Sequence, residues 1–187
     1  MLDHIAHFRQ LGTLADGTRV LLRPLLREDR GELQAFFKTV SPEDLQFMRS
    51  DVSDANLVQS WVDSLDYHSI LPLMAVLNDR FVGDATLHFR GGPYRHVAEI
   101  RIFLLQEYRR RGLGTLMLKT LIDIARKAGV QFLVAEIAAD QSRVIEAFHG
   151  LGFERKVLLP DFYLTPDGNA HDMALMVLSL KTKKEDF

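Results

Sequence analysis

One stretch limits what this chain can fold into more than any other. Residues 96–128 pass from an apolar segment, His96 to Leu105, through the turn Arg109-Arg110-Arg111-Gly112-Leu113-Gly114, into a helical pattern that runs from Leu113 to Ala128. Leu113, Met117, Leu121, Ile124, Ala125 and Ala128 recur at the spacing of one helix face. Arg126 and Lys127 suit the C-terminal turn, where the dipole favours cations, and Gly129 is positioned to end the helix. A strand therefore delivers the chain straight to the N-terminus of a long amphipathic helix. The N–H groups there have no intrahelical partners, and the dipole favours negative charge. Gly112 and Gly114 let an anion approach the backbone closely, and Arg109, Arg110 and Arg111 surround it with positive charge. A solvated basic turn is the plainer reading of the arginine run; the glycines and the helix after it favour an anion cradle.

The remaining elements follow from pattern and punctuation. Asp16-Gly17 marks a turn and Arg19 to Leu25 a short strand. Arg27 to Val40 reads as a helix with Leu33, Phe36 and Phe37 on one side. Ser41-Pro42-Glu43-Asp44 starts a second helix, with Ser41 as cap, Pro42 in the first turn and Asp44 at the capping-box position. Another helix covers about Asp54 to Ser64. Leu71 to Leu77 and Arg80 to Arg90 flank Asn78-Asp79, a two-residue hairpin turn. Gly91-Gly92-Pro93 breaks the chain before the strand from His96. Gln131 to Ala139 is apolar enough for a central strand, and Asp140 to Gly150 is a helix. Phe153 to Leu159 and Met173 to Leu180 are the last strands, joined by a loop with the turn Pro166-Asp167-Gly168-Asn169. Residues 1–15 are compatible with an extra N-terminal element, and Lys181 to Phe187, with Lys183 and Lys184, reads as a solvated tail. The order predicts a single α/β domain over residues 1–187, with a mixed sheet and helices on both faces.

Composition narrows the chemistry. A length of 187 residues, 47% hydrophobic and 26% charged, suits one soluble domain with a core. The net charge of −2 argues against a general nucleic-acid binder. The absence of cysteine excludes disulfides, thiolate metal sites and a cysteine acyl-enzyme. The seven histidines show no ligand spacing, and His4 and His7, though on one helical face, are expected in solvent, so no metal is expected. The first ten residues lack the apolar core of a signal peptide, and Leu71 to Leu77 is too short to span a bilayer. A cytoplasmic protein without membrane association is the expectation.

The pattern Arg109-x-x-Gly112-x-Gly114 resembles the pyrophosphate-binding loop of the GCN5-related N-acetyltransferases. Across Thr18 to Leu180 further signatures fall in order. Thr18-Arg-Val-Leu-Leu-Arg-Pro-Leu with Glu28-Asp29 resembles the family's opening strand and first turn, Glu107 to Gly114 its central motif, and Leu151-Gly152-Phe153 the signature that closes its penultimate helix. The resemblance implies the family fold, with a core in 18–180 and a mixed, mostly antiparallel sheet, and acetyl-CoA as co-substrate. It implies that backbone around Phe103 and Leu104, on a strand that splays from its neighbour, holds the pantetheine arm. It implies that N–H groups of residues 110–115, hence Arg110, Arg111, Gly112, Leu113, Gly114 and Thr115, bind the pyrophosphate. Arg109 either joins them or ties the loop to the sheet. Gln141 stands where many members have a coenzyme-binding asparagine. Phe148 stands along the coenzyme where many have the tyrosine that protonates the leaving thiolate. A phenyl ring cannot do so. Tyr163, Tyr108 or water then substitutes, or the weakly basic thiolate leaves unassisted.

A protonated amine cannot attack a thioester, so a base is needed. Glu99, in Ala98-Glu99-Ile100, matches the catalytic glutamate of the protein-acetylating branches, and partial burial is expected to raise its pKa. The plain alternative is that Glu99 pairs with an arginine. Glu136 on the neighbouring strand is the second candidate and His88 the third. The resemblance to bacterial and archaeal protein-lysine acetyltransferases favours a protein lysine as acceptor, with small amines as the alternative and the acceptor site in residues 41–70 and 159–172. Asp161, Asp167 and Asp172 are candidates for drawing in a cation. Since members of the family often pair through sheet edges, a homodimer belongs to the expectation. Two other functions compete: a non-catalytic acetyl-CoA sensor, suggested by Phe148 and Gln141, and a dinucleotide-binding oxidoreductase, opposed by Met117 at the third glycine position.

Overall fold

The computed structural model describes residues 2–181. Its sheet has eight strands: β1 (Gln10–Thr13), β2 (Arg19–Pro24), β3 (Ile70–Leu77), β4 (Arg80–Phe89), β5 (Val97–Leu104), β6 (Phe132–Ala138), β7 (Glu154–Leu164) and β8 (Ala170–Ser179), in the spatial order β1-β2-β3-β4-β5-β6-β8-β7. All neighbours are antiparallel except β5 and β6. The parallel pair covers only Val97–Phe132, Ala98–Leu133 and Glu99–Val134, after which the two strands part. The helices are α1 (Arg30–Lys38), α2 (Pro42–Leu45), α3 (Ala55–Asp63), α4 (Leu113–Lys127) and α5 (Ser142–Gly150). None is long and apolar enough to cross a membrane.

The period-2 alternation of the strands sorts the apolar side chains into two cores. On one face Leu73, Ala85, Leu87, Ile100, Leu133 and Met176 pack with Met117 and Leu121 of α4 and Phe148 of α5. On the other, Met74 and Phe81 pack with Leu33, Phe36 and Phe37 of α1 and Val58 and Val62 of α3. Phe153, fully buried, meets Phe148 edge-on with ring centroids 4.9 Å apart. Phe153→Ala is therefore expected to cost about 3–5 kcal/mol in a urea titration; a loss below about 1 kcal/mol would show that this corner of the core is loose.

Several elements differ from the sequence-based expectation for local reasons. The helix expected from Arg27 is a 3-10 turn, Arg27–Asp29, followed by α1. The break is fixed by Asp29, whose carboxylate takes Arg23 Nη1 at 2.6 Å, Nη2 at 2.8 Å and the Leu26 N–H at 2.7 Å. At α2 the Ser41 hydroxyl does accept the Asp44 N–H, at 3.2 Å, but the helix lasts four residues. The first 15 residues include a 3-10 segment, Leu2–His7, and the edge strand β1. Gly12 lets β1 pass under α4, since a Cβ there would overlap Leu116. The loop expected after Leu159 is instead strand on both sides of a short turn. Pro160 lies within β7: an edge strand tolerates its missing N–H, and the register shift between Leu159 and Tyr163 absorbs it. Asn78 and Asp79 both take positive φ, 49° and 60°, as the two-residue hairpin requires. The expected tail lies, beyond Lys181, outside the described residues.

Candidate functional site

The turn into α4 places N–H groups and positive charge together, though not with the whole arginine run. Arg109 donates Nε to the Leu104 carbonyl at 2.9 Å and Nη2 to Asp44 at 2.6 Å, and its guanidinium lies over the Phe103 ring. It ties the loop to β5 and α2. Arg111 is paired with Asp16 and lies over Tyr108. Only Arg110, exposed and in no ion pair among the described residues, keeps a guanidinium free at this turn. The N–H groups of residues 110–115 donate to no backbone carbonyl among the described residues. Gly112 holds φ at +84°, the left-handed conformation that turns the chain into α4. A β-branched side chain resists that conformation. Gly112→Val should cost about 1–3 kcal/mol of stability in a urea titration. An unchanged midpoint would show that the turn does not depend on this conformation.

The parting of β5 and β6 leaves backbone groups without strand partners. Arg90 N–H donates to the Val97 carbonyl and Leu105 N–H to the Val82 carbonyl, both at 3.2 Å. The antiparallel alternation then directs the odd-numbered residues of β5 toward β4 and the even-numbered ones toward the gap. The backbone of Ile102 and Leu104 thus faces the gap, and that of Phe103 faces β4.

At the closed end of the gap stands a cluster of charges. Glu99, with its side chain 10% exposed, accepts Arg101 Nε at 2.8 Å and Nη2 at 3.2 Å. Arg49, from the connection between α2 and α3, places Nη1 2.9 Å from Glu99 Oε1 and 2.9 Å from Glu136 Oε2. Burial alone would push the Glu99 carboxyl up, as its sequence suggests. The Arg101 hydrogen bond and the charges of Arg49 and Arg101 outweigh it and hold the pKa below the usual carboxylate value. His88 lies across from Glu99 on β4. Burial, with the nearby arginines, lowers its pKa to about 4, so it is neutral at pH 7, and its Nε2 is 2.9 Å from Thr86 Oγ1.

The other expected residues divide. Tyr163 stacks on Phe47, and its buried hydroxyl has no partner among the described residues. Burial, then Asp140, raises its pKa, so it is a protonated phenol at pH 7. Phe148, expected along the coenzyme, is instead 2% exposed in the core. Gln141 is at the N-cap of α5 with its side chain making no cap bond. Of the loop acids, Asp167 is bound by Thr165 and Asn169 and Asp172 accepts the Asp161 N–H, so both hold the β7–β8 hairpin together. Sequence reasoning passed over Arg49 and Asp84. Asp84 is a lone acid within the apolar run Phe81 to Leu87, which was a visible signal. Its Oδ1 is buried without a partner among the described residues, and burial pushes its pKa up to about 7. No group of three or more potential metal ligands occurs among the described residues.

A model described as the Acetyltransferase (GNAT) family matches residues 33–153. The chain is similar to the ribosomal protein bS18-alanine N-acetyltransferase of Escherichia coli K12, 35% identical over 74 residues, which are 40% of this chain and 49% of that one. It thus spans about half the length of that relative. It is also similar to acetyltransferase PA5475 of Pseudomonas aeruginosa, 26% identical over 151 residues, covering 75% and 78% of the two chains. Among solved structures, YncA of Salmonella typhimurium, determined with its cofactor acetyl-CoA, shares the fold, with a TM-score of 0.75 at 22% identity over 87% of this chain and 95% of that one.

Proposed function

Because the chain belongs to the acetyltransferase (GNAT) family, we propose that it transfers an acetyl group from acetyl-CoA to a primary amine by direct attack on the thioester. One observation carries this reading: the gap between β5 and β6 opens beside Glu99 and leads toward the N–H groups of residues 110–115, which donate to no backbone carbonyl among the described residues. Those N–H groups, the exposed Arg110 and Gly112 fit a pyrophosphate. The N–H groups of Ile102 and Leu104 would bind the pantetheine arm and polarise the thioester carbonyl. Holding amine and thioester side by side supplies much of the rate.

Glu99 is the base in this reading, with Glu136 as the second carboxylate on the same guanidinium. Tyr163 protonates the departing thiolate, as a phenol that is uncharged at pH 7. A coenzyme A thiolate is a good leaving group, so Tyr163→Phe should lower kcat less than about tenfold; a loss as deep as that of the base variant would reverse the ranking of the two groups. The acceptor is a lysine side chain of a protein, which the carboxylate pair would draw in as a cation. Pairing of two copies along the edge strand β7 is supported by its exposed Val157, Leu158, Phe162 and Leu164.

Incubation with acetyl-CoA and a panel of lysine peptides, free amino acids and polyamines tests the reading. Amine-dependent thiol release, fastest with peptides, is expected. Tight coenzyme binding with no release across the panel would make the chain a sensor.

A further inference from the structure

We infer that the connection between α2 and α3 is a strap over the acceptor site, and that Arg49 occupies the place of the acceptor's ammonium group until a substrate amine displaces it. The inference rests on the transferase reading above. After Leu45 the chain forms no helix or strand until Ala55. Two side chains fasten this stretch. Phe47 stacks on Tyr163 of β7, with ring centroids 6.5 Å apart and planes 14° from parallel. Two residues on, Arg49 lies between Glu99 on β5 and Glu136 on β6, at 2.9 Å from each, and donates Nη2 to the Glu136 carbonyl at 3.4 Å. The guanidinium therefore bridges the two strands just where their pairing ends, at Glu99 and Val134.

The seat it fills has the chemistry of an ammonium site. Arg101 already offsets one of the two carboxylate charges. With Arg49 gone, the cluster carries one net negative charge, and a protonated amine restores the balance. One cation replaces another, so neither carboxylate is left unpaired. A neutral or anionic acceptor gains nothing from the exchange. Arg49 is 34% exposed, which makes its ion pairs weak enough to be opened by a competing cation. Release of the strap also frees the Tyr163 hydroxyl, which now has no partner among the described residues.

Arg49→Lys tests this directly, because it puts a primary amine on the strap. The variant is incubated with acetyl-CoA and no other acceptor. The new lysine ammonium passes one proton to a carboxylate of the pair, the freed nitrogen bonds the acetyl carbon, the thioester C–S bond breaks, and the second proton lost from that nitrogen goes to the departing sulfur, which leaves as coenzyme A thiol. The expected result is one acetyl group per chain, located at position 49 by peptide mapping, with matching thiol release and no acetylation of the wild-type strap. In parallel, Arg49→Ala should lower KM for a lysine peptide by about three- to tenfold with kcat within about twofold, because the open state no longer competes with a self-made ion pair. An unmodified position 49 in a variant that still acetylates the lysine peptide would overturn the inference and leave the transferase reading standing. So would an unchanged KM in Arg49→Ala. If the wild-type chain releases no thiol with any amine, the transferase reading fails and this inference with it.

Discussion

Glu99→Gln should lower kcat/KM for acetyl transfer by about 10²- to 10³-fold while changing the dissociation constant of acetyl-CoA by less than about twofold. The substitution keeps the shape of the side chain and removes its capacity to take a proton. The coenzyme contacts proposed here are N–H groups of residues 102, 104 and 110–115, which Glu99 does not touch. The pH dependence separates this role from a structural one. Arg101 and Arg49 hold the Glu99 carboxyl ionised across neutral pH. Between about pH 6 and 9 the rate should therefore rise with pH as the acceptor ammonium deprotonates, with no limb from Glu99 itself. Arg49→Ala removes one of the charges that lower the Glu99 pKa, so any acidic limb should move up in that variant. A Glu99→Gln enzyme with full turnover would transfer the role to Glu136.

The second large effect is on stability. Asp84→Asn should stabilise the protein at pH 8 by about 2 kcal/mol and leave it unchanged near pH 4. Asp84 lies across from Met74 on β3 and Phe103 on β5, with Oδ1 buried and no charged partner to offset burial. Its pKa is pushed from 3.8 to about 7 in the folded chain. Between those values the folded state holds a proton that the unfolded state has lost. Stability is therefore lost as pH rises through that window and is level above it. The gap sets a ceiling of about 4 kcal/mol, and residual solvent contact of the side chain reduces it to about 2. Urea titrations of both proteins at several pH values decide the matter. Parallel pH curves for the two would mean that Asp84 is ionised and solvated in the folded chain.

How much the sequence revealed depended on whether one local rule governed the outcome. The α4 pattern, the Gly129 stop and the Asn78-Asp79 turn follow from periodicity and backbone conformation, and the structure has them as read. The strand β1 was hidden because it is four residues long and contains Gly12, whose use is visible only against Leu116 of α4. The continuation of β7 past Leu159 was hidden because a proline barred from a central strand is acceptable in an edge strand, and edge position is a property of the whole sheet. At the site, Arg109 to Arg111 look alike in sequence. Asp44 and Asp16, which are 65 and 95 positions away from Arg109 and Arg111, take two of them out of the anion's reach. The same holds in part for Glu99: its burial was foreseeable, but its pKa is lowered first by Arg101, two residues along β5, and then by Arg49, 50 residues upstream, which no local pattern connects to it. Long-range ion pairs were the part that reading along the chain could not supply.

The central claim is that this chain moves acetyl from coenzyme A to an amine at the gap between β5 and β6. Its most direct test is release of coenzyme A thiol from acetyl-CoA by the wild-type chain, followed against the concentration of a lysine peptide, with the acetylated peptide identified by mass. The account predicts thiol and acetyl-peptide in equal amounts, saturating in both substrates, and nearly abolished in Glu99→Gln. Saturable coenzyme binding with no acetyl-amine formed from any peptide or small amine would contradict it.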